Sequence, residues 1–331
     1  MNQTALYPLR FAPLYQYRLW GGRRLANWLT APLPGTGPIG EAWLLSDRDA
    51  EPSRVIDGPL EGRTIAQLMA DSPEAILGKL ARRFRRFPLL LKFLDAHEML
   101  SVQVHPGSDN ADLIPVGETG KTEAWIVLEA DAASRVYVGL QPGVSLADLR
   151  ALSERTVDSC LASFTPRAGQ GIFIEAGTVH ALGGGVVVFE VQQNSDVTFR
   201  LYDWDRIDPE TGRPRALQVA QALACIDPGQ GPVHPIAPAE ATGGSIRREK
   251  LFDSPHFRVW RLQTHSPFSV GAVDEPRVLV CLDGTGNIEY DGADFAIARG
   301  DVILLPAAVG ACRFRPQGEV TLLEIAVPDL P

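Results

Sequence analysis

From residue 88 to the end the chain is cut into short runs of β-branched and apolar residues, each closed by Gly, Pro, Asp or Asn, and this rhythm restricts the fold more than any other feature. Leu100–Val104, Glu123–Leu128, Arg135–Leu140, Gly171–Ile174, Val186–Val191 and Val197–Tyr202 form one series; Phe257–Leu262, Arg277–Leu282, Gly286–Tyr290, Phe295–Ala298, Val302–Leu305 and Val320–Val327 form a second. Runs of this length predict strands of a sandwich or barrel. The 31 Gly and 26 Pro supply the turns between them. Between the two series lies a Pro- and Gly-rich stretch, so the expected organisation is a first β domain over residues 1–226, a linker over 227–244 and a second β domain over 245–331. A small helical segment is expected at about 60–86, where Ile65, Leu68 and Met69 recur at helical spacing and Ser72-Pro73-Glu74 reads as an N-cap followed by Pro at the first helical position. Further short helices are expected after Ser145, through Leu146, Leu149 and Leu152, and over 215–226.

A formal charge of −9 argues against nucleic acid or an anionic membrane as a partner, since both require a basic face. The run Arg82-Arg83-Phe84-Arg85-Arg86 reads as a solvated face. Cys160, Cys225, Cys281 and Cys312 are far apart with no CxxC pair and read as reduced core thiols. The first residues lack a signal-peptide layout and nothing approaches the apolar length of a membrane span, so a cytoplasmic protein, monomer or homodimer, is expected.

In Ser101-Val102-Gln103-Val104-His105 the two-residue period of a strand puts Ser101, Gln103 and His105 on one face. Lys121 and Glu123 share a face by the same rule, and His180 follows a turn at Gly177. Two imidazoles and a carboxylate on separate strands suit a catalytic zinc ion with an open position, although residues spread this far apart have no diagnostic spacing. Lys92, inside Leu89-Leu90-Leu91-Lys92-Phe93, calls for a partner anion because an unpaired buried ammonium is costly. Gly183-Gly184-Gly185 follows no Rossmann-like strand and reads as a tight turn. Gly300–Ala307 repeats the character of Gly171–Gly177 without its histidine, as a duplicated barrel with one working copy would.

Leu100–Pro106, Gly120–Trp125, Ala176–Ala181 and Asp196–Asp203, together with Leu19-Trp20-Gly21-Gly22 and Gly40-Glu41-Ala42-Trp43 upstream, resemble in order and spacing the type I mannose-6-phosphate isomerases of the cupin superfamily, in their short bacterial form. The cupin pattern usually has His where Gln103 stands and Pro where Glu175 stands. The resemblance implies two cupin-like jelly-roll barrels, the second without metal, and zinc-dependent interconversion of mannose 6-phosphate and fructose 6-phosphate through a cis-enediol. One zinc ion would sit on His105, Glu123 and His180, with Gln103 as a further ligand or a neighbour of the ligands. Arg200 matches a catalytic arginine that could stabilise an enediolate; pairing with Asp196, Asp203 or Asp205 is the simpler alternative. Glu190 and Lys121 are both eligible to move the proton, Lys92 and Ser101 match positions linked with the substrate phosphate, and Glu41 shapes the pocket, while Trp20 and Trp43 read as packing residues. Two other readings keep the barrel: an iron-dependent oxygenase, and a sugar-phosphate-binding protein without turnover.

Overall fold

The computed structural model describes residues 5–209, 211–238 and 246–329. It is mainly β, as expected, and its sheets stack in layers. A six-stranded antiparallel sheet, here the site sheet, runs in the order Leu14–Gln16, Glu41–Leu45, Leu89–Ala96, Val186–Gln193, Glu123–Ala130, Gly171–Ile174. A five-stranded sheet covers one face of it, in the order Phe199–Tyr202, Val102–Val104, His180–Ala181, Val136–Leu140, Leu161–Phe164.

The three central strands of the site sheet are near-continuous apolar runs because both of their faces are covered. Leu91, Phe93, Ala124, Ile126, Val187 and Phe189 point to one side, into a core shared with the second β unit. Leu94, Ala96, Trp125, Val127, Val186 and Val188 point to the other, toward the five-stranded sheet. The second unit repeats this parity. In its six-stranded sheet Val278, Val280, Leu304, Leu323 and Ile325 enter the shared core, while Leu279, Cys281, Ile303, Leu305 and Leu322 face an interior closed by a four-stranded sheet. Leu9–Arg10 pairs with Leu304 and Ile303, so the second unit takes an edge strand from the first residues of the chain.

The helical segment divides into Ile65–Asp71, Pro73–Leu77 and a 3-10 turn Gly78–Arg82. Thr64 and Gln67 close a reciprocal capping box at its start, and Pro73 opens the second helix as read from the sequence. The helix after Ser145 ends at Arg150, short of Leu152, and the one near 215–226 is Val219–Cys225. Residues 239–244 of the expected linker lie outside the described residues. The four cysteines are buried and unpaired. In the glycine run, a Cβ at Gly183 would stand 1.6 Å from the Arg135 carbonyl oxygen, which fits a tight turn against a neighbouring strand. No helix among the described residues is long and apolar enough to cross a membrane.

Candidate metal centre and substrate cavity

Each central strand of the site sheet carries one charged residue on its inner face within an apolar run, and register brings them side by side. Glu190 is directly opposite both Lys92 and Trp125, and Lys92 is opposite Trp43. On the facing sheet Gln103 sits between His180 and Arg200. All ten residues singled out from the sequence therefore converge on one region between the two sheets. The turn that delivers His180 needs Gly177, whose φ is +88°, a conformation that side chains disfavour.

His105, Glu123 and His180 are buried, with candidate ligand atoms all within 4.8 Å of one another. His105 Nδ1 lies 2.8 Å from the Val197 carbonyl oxygen and His180 Nδ1 lies 2.9 Å from that of Thr178. Carbonyl oxygens only accept, so both Nδ1 atoms carry the proton and both Nε2 lone pairs face Glu123, at 3.3 and 3.4 Å from its oxygens. This orientation by a backbone acceptor is typical of metal-ligating histidines. Neither Glu123 oxygen has a well-aligned hydrogen bond, although Lys121 Nζ is 2.7 Å from Oε2. Two neutral imidazoles and an under-satisfied carboxylate fit a divalent cation. Gln103 Nε2 is 3.3 Å from His180 Nε2 and its Oε1 accepts from Ser101 Oγ at 3.1 Å; rotating the amide would turn the oxygen to the cluster.

The electrostatics agree. Burial pushes the His180 imidazole down to about 3, and burial with the nearby Lys121 charge lowers His105, so both stay neutral. Burial opposes ionisation of Glu123, but the Lys121 ammonium beside it outweighs burial and holds it well below the usual carboxylate range. Glu190 behaves oppositely: burial and the Glu123 charge raise it to about 7 against the pull of Lys92 and Lys121. Lys121 is opposed by burial yet raised by Glu123 and Glu190, so it remains an ammonium.

A cavity of about 450 Å³ opens over this floor, lined by Ser101, Gln103, Lys121, Glu190 and Arg200 among others. The anion that Lys92 requires is supplied within the protein: its Nζ lies 3.6 Å from Glu190, 3.8 Å from Glu41 and 3.8 Å from Asp196, over the Trp43 ring. Glu41 accepts from Arg18 Nε (2.9 Å) and Nη2 (3.2 Å) and from Trp43 Nε1 (2.7 Å), so Trp43 does more than pack. Arg200 Nε has no hydrogen-bond partner among the described residues. The aspartates that could have neutralised it are engaged elsewhere: Asp203 with Arg206 and Arg215, Asp205 with Tyr202, and Asp196 toward Lys92.

Among the cavity residues given no role from the sequence are Arg18, Trp125 and Arg215. Trp125 donates from Nε1 to Glu190 Oε2 at 2.9 Å and stands edge-on to His180. Trp125 and Arg18 sit inside or beside the quoted motifs, but their roles depend on partners on other strands.

Residues 9–137 match the family model described as phosphomannose isomerase type I, catalytic domain. The chain is 32% identical to a mannose-6-phosphate isomerase of Streptococcus mutans, over 93% of this chain and 95% of the relative. It is 31% identical to one of Bacillus subtilis, over 94% and 97%. The crystal structure of a mannose 6-phosphate isomerase from Bacillus subtilis superposes with a TM-score of 0.85 at 27% identity, covering 97% of this chain and 99% of that one.

Proposed function

The chain belongs to the type I phosphomannose isomerase family, and we propose that it interconverts mannose 6-phosphate and fructose 6-phosphate with one zinc ion held by His105, Glu123 and His180. The observation that carries this reading is the cluster itself: two buried neutral imidazoles turned by backbone carbonyls toward an under-satisfied carboxylate, on the floor of a polar cavity. Gln103 is the candidate for a fourth ligand. Zinc bound there would act as a Lewis acid on the substrate's carbonyl and hydroxyl oxygens.

The protein groups divide the remaining work. Glu190, raised to about 7, is matched to taking a proton near neutral pH, and its Oε1 has no hydrogen-bond partner among the described residues. Removing the C2 proton of the open-chain aldose shifts its bonding pair into a C1=C2 bond as the C1 carbonyl oxygen is protonated, giving the cis-enediol. Delivering a proton to C1 while the C2 hydroxyl loses one yields the ketose. Lys121 is held as an ammonium, which favours Glu190 over it as the base. Arg200, with uncommitted donors at the cavity wall, is placed to stabilise negative charge on the C1 and C2 oxygens. Ser101 and Lys92 line the same cavity, with Lys92 holding the surrounding carboxylates in place.

The test is a coupled assay of mannose 6-phosphate conversion on zinc-loaded protein, repeated in D2O. Fructose 6-phosphate carrying deuterium at C1 is expected, because a proton held by Glu190 exchanges with solvent between removal and return. Folded, zinc-loaded protein that produces no fructose 6-phosphate would overturn the reading.

A further inference from the structure

Most cations lining the cavity are already engaged. Lys92 is ringed by three carboxylates, Lys121 sits on Glu123, and Arg215 donates from Nε to Asp203 at 2.7 Å. Arg200 faces the reacting carbons in the reading above. Arg18, like Arg215, is held by a carboxylate and keeps free donors, but its carboxylate, Glu41, belongs to the site sheet itself. Its Nε and Nη2 bind the two oxygens of Glu41, and Nη1 donates to the Tyr17 carbonyl at 3.2 Å. A guanidinium has five N–H groups, so these three bonds leave two, on a side chain 30% exposed. Its anchor is rigid and ionised. Glu41 is buried, which opposes ionisation, but Lys92 and Arg18 hold it at about 2, and the Trp43 indole fixes its orientation.

Position adds the second half of the argument. Glu41 is three strands from Glu123 in the site sheet, a separation of about 14 Å at the usual strand spacing. A ligand bound by one end at the cluster and extending along the floor therefore brings its other end toward Arg18. We infer that Arg18 is a specificity-determining residue that reads the phosphate of the substrate, its fork held in place by Glu41, so that the enzyme distinguishes phosphorylated from free hexoses. This rests on the isomerase reading and adds to it the residue that selects the anionic end. A phosphate dianion matches the two remaining donors, and an arginine fixed before binding loses little freedom on forming those bonds.

The test uses zinc-loaded holoenzyme and three variants: Arg18→Met, Arg18→Lys and the double variant Arg18→Met with Glu41→Gln. In Arg18→Met the KM for mannose 6-phosphate should rise about 10- to 100-fold, the loss of a charge-assisted pair, with kcat changed by less than about threefold. Calorimetric titration with inorganic phosphate should weaken by a similar factor, and Arg18→Lys should restore part of it. The double variant separates recognition from support. If Arg18 served only to neutralise buried Glu41, removing both charges would restore KM and phosphate affinity, and that result would overturn the inference, as would an unchanged KM in Arg18→Met. If Arg18→Met alone does not fold, the double variant, which leaves no unpaired carboxylate, carries the comparison. A wild type that converts no mannose 6-phosphate would instead sink the isomerase reading, and the phosphate titration would still report on Arg18.

Discussion

The two β units are built on the same plan and spend their interiors differently. In the first, the run through Gly171–Gly177 ends in a turn that buries His180 beside Glu123, and the sheet opposite gives its inner face to Glu41, Lys92 and Glu190. In the second, the strand of the corresponding Gly300–Ala307 run stops before Pro306, and the backbone N–H groups of Ala307 and Ala308 donate to the carbonyls of Ile76 and Ala75. That loop docks a helix where its counterpart presents His180. The second interior is closed by Leu279, Cys281, Ile288, Phe314 and their neighbours. The buried charges of the first unit are tolerated because they pair with one another, and the sheet that bears them is backed on its other face by an apolar core shared with the second unit. The second unit packs behind that sheet, and the residues lining the cavity come from the first unit.

If labour is divided in this way, changes at the floor should cost activity and changes in the shared core should cost stability. The largest effect is expected from His180→Ala, which should lose zinc and lower turnover by several kcal/mol of barrier, roughly 10³-fold or more, as seen by metal analysis and steady-state assay. An active variant of this kind would break the comparison on the first unit's side. Phe93→Ala, on the opposite face of the same sheet, should cost about 3–5 kcal/mol in denaturant unfolding while leaving kcat per folded molecule near wild type. A collapse of kcat at full stability would show that the backing layer tunes the chemistry directly.

Glu190→Gln should lower kcat by about 100-fold or more. In the zinc-loaded wild type, kcat should rise with pH as Glu190 ionises, at a pH below the metal-free value of about 7 because zinc would offset the Glu123 charge that helps raise it. The stability effect has the opposite sense. In metal-free protein Glu190 keeps its proton up to about 7, whereas the unfolded chain releases it near the ordinary value of 4.5, so the folded state binds more protons in that window and stability falls as pH rises. Glu190→Gln should flatten that fall, which unfolding at several pH values would reveal. The smallest effect, about 1 kcal/mol with unaltered kinetics, is expected for Thr64→Ala, which opens the capping box of Ile65–Asp71, the helix that precedes the one docked on the second unit's loop.

Much of the fold and floor was legible in the sequence because both obey local rules. Alternation placed Ser101 with Gln103 and His105, and Lys121 with Glu123, and a lysine inside Leu89–Phe93 required an anion. That the anion is three carboxylates could not be read, since Glu41, Glu190 and Asp196 reach Lys92 from separate segments through sheet register. Arg18 was missed for the same reason: its orientation comes from Glu41 across the sheet edge. The pairing of Leu9–Arg10 with Ile303 and Leu304 joins the first residues to the last sheet, a contact with no local signature in either segment.

The central claim is that one divalent zinc ion at His105, Glu123 and His180 completes an isomerase site on this floor. The most direct measurement is a zinc titration of chelator-stripped, folded protein, following bound metal and mannose 6-phosphate turnover together. The account predicts that turnover is absent at the start, rises in step with occupancy and saturates at one zinc per chain. Full turnover in the stripped protein, or zinc bound at one per chain without turnover, would contradict it.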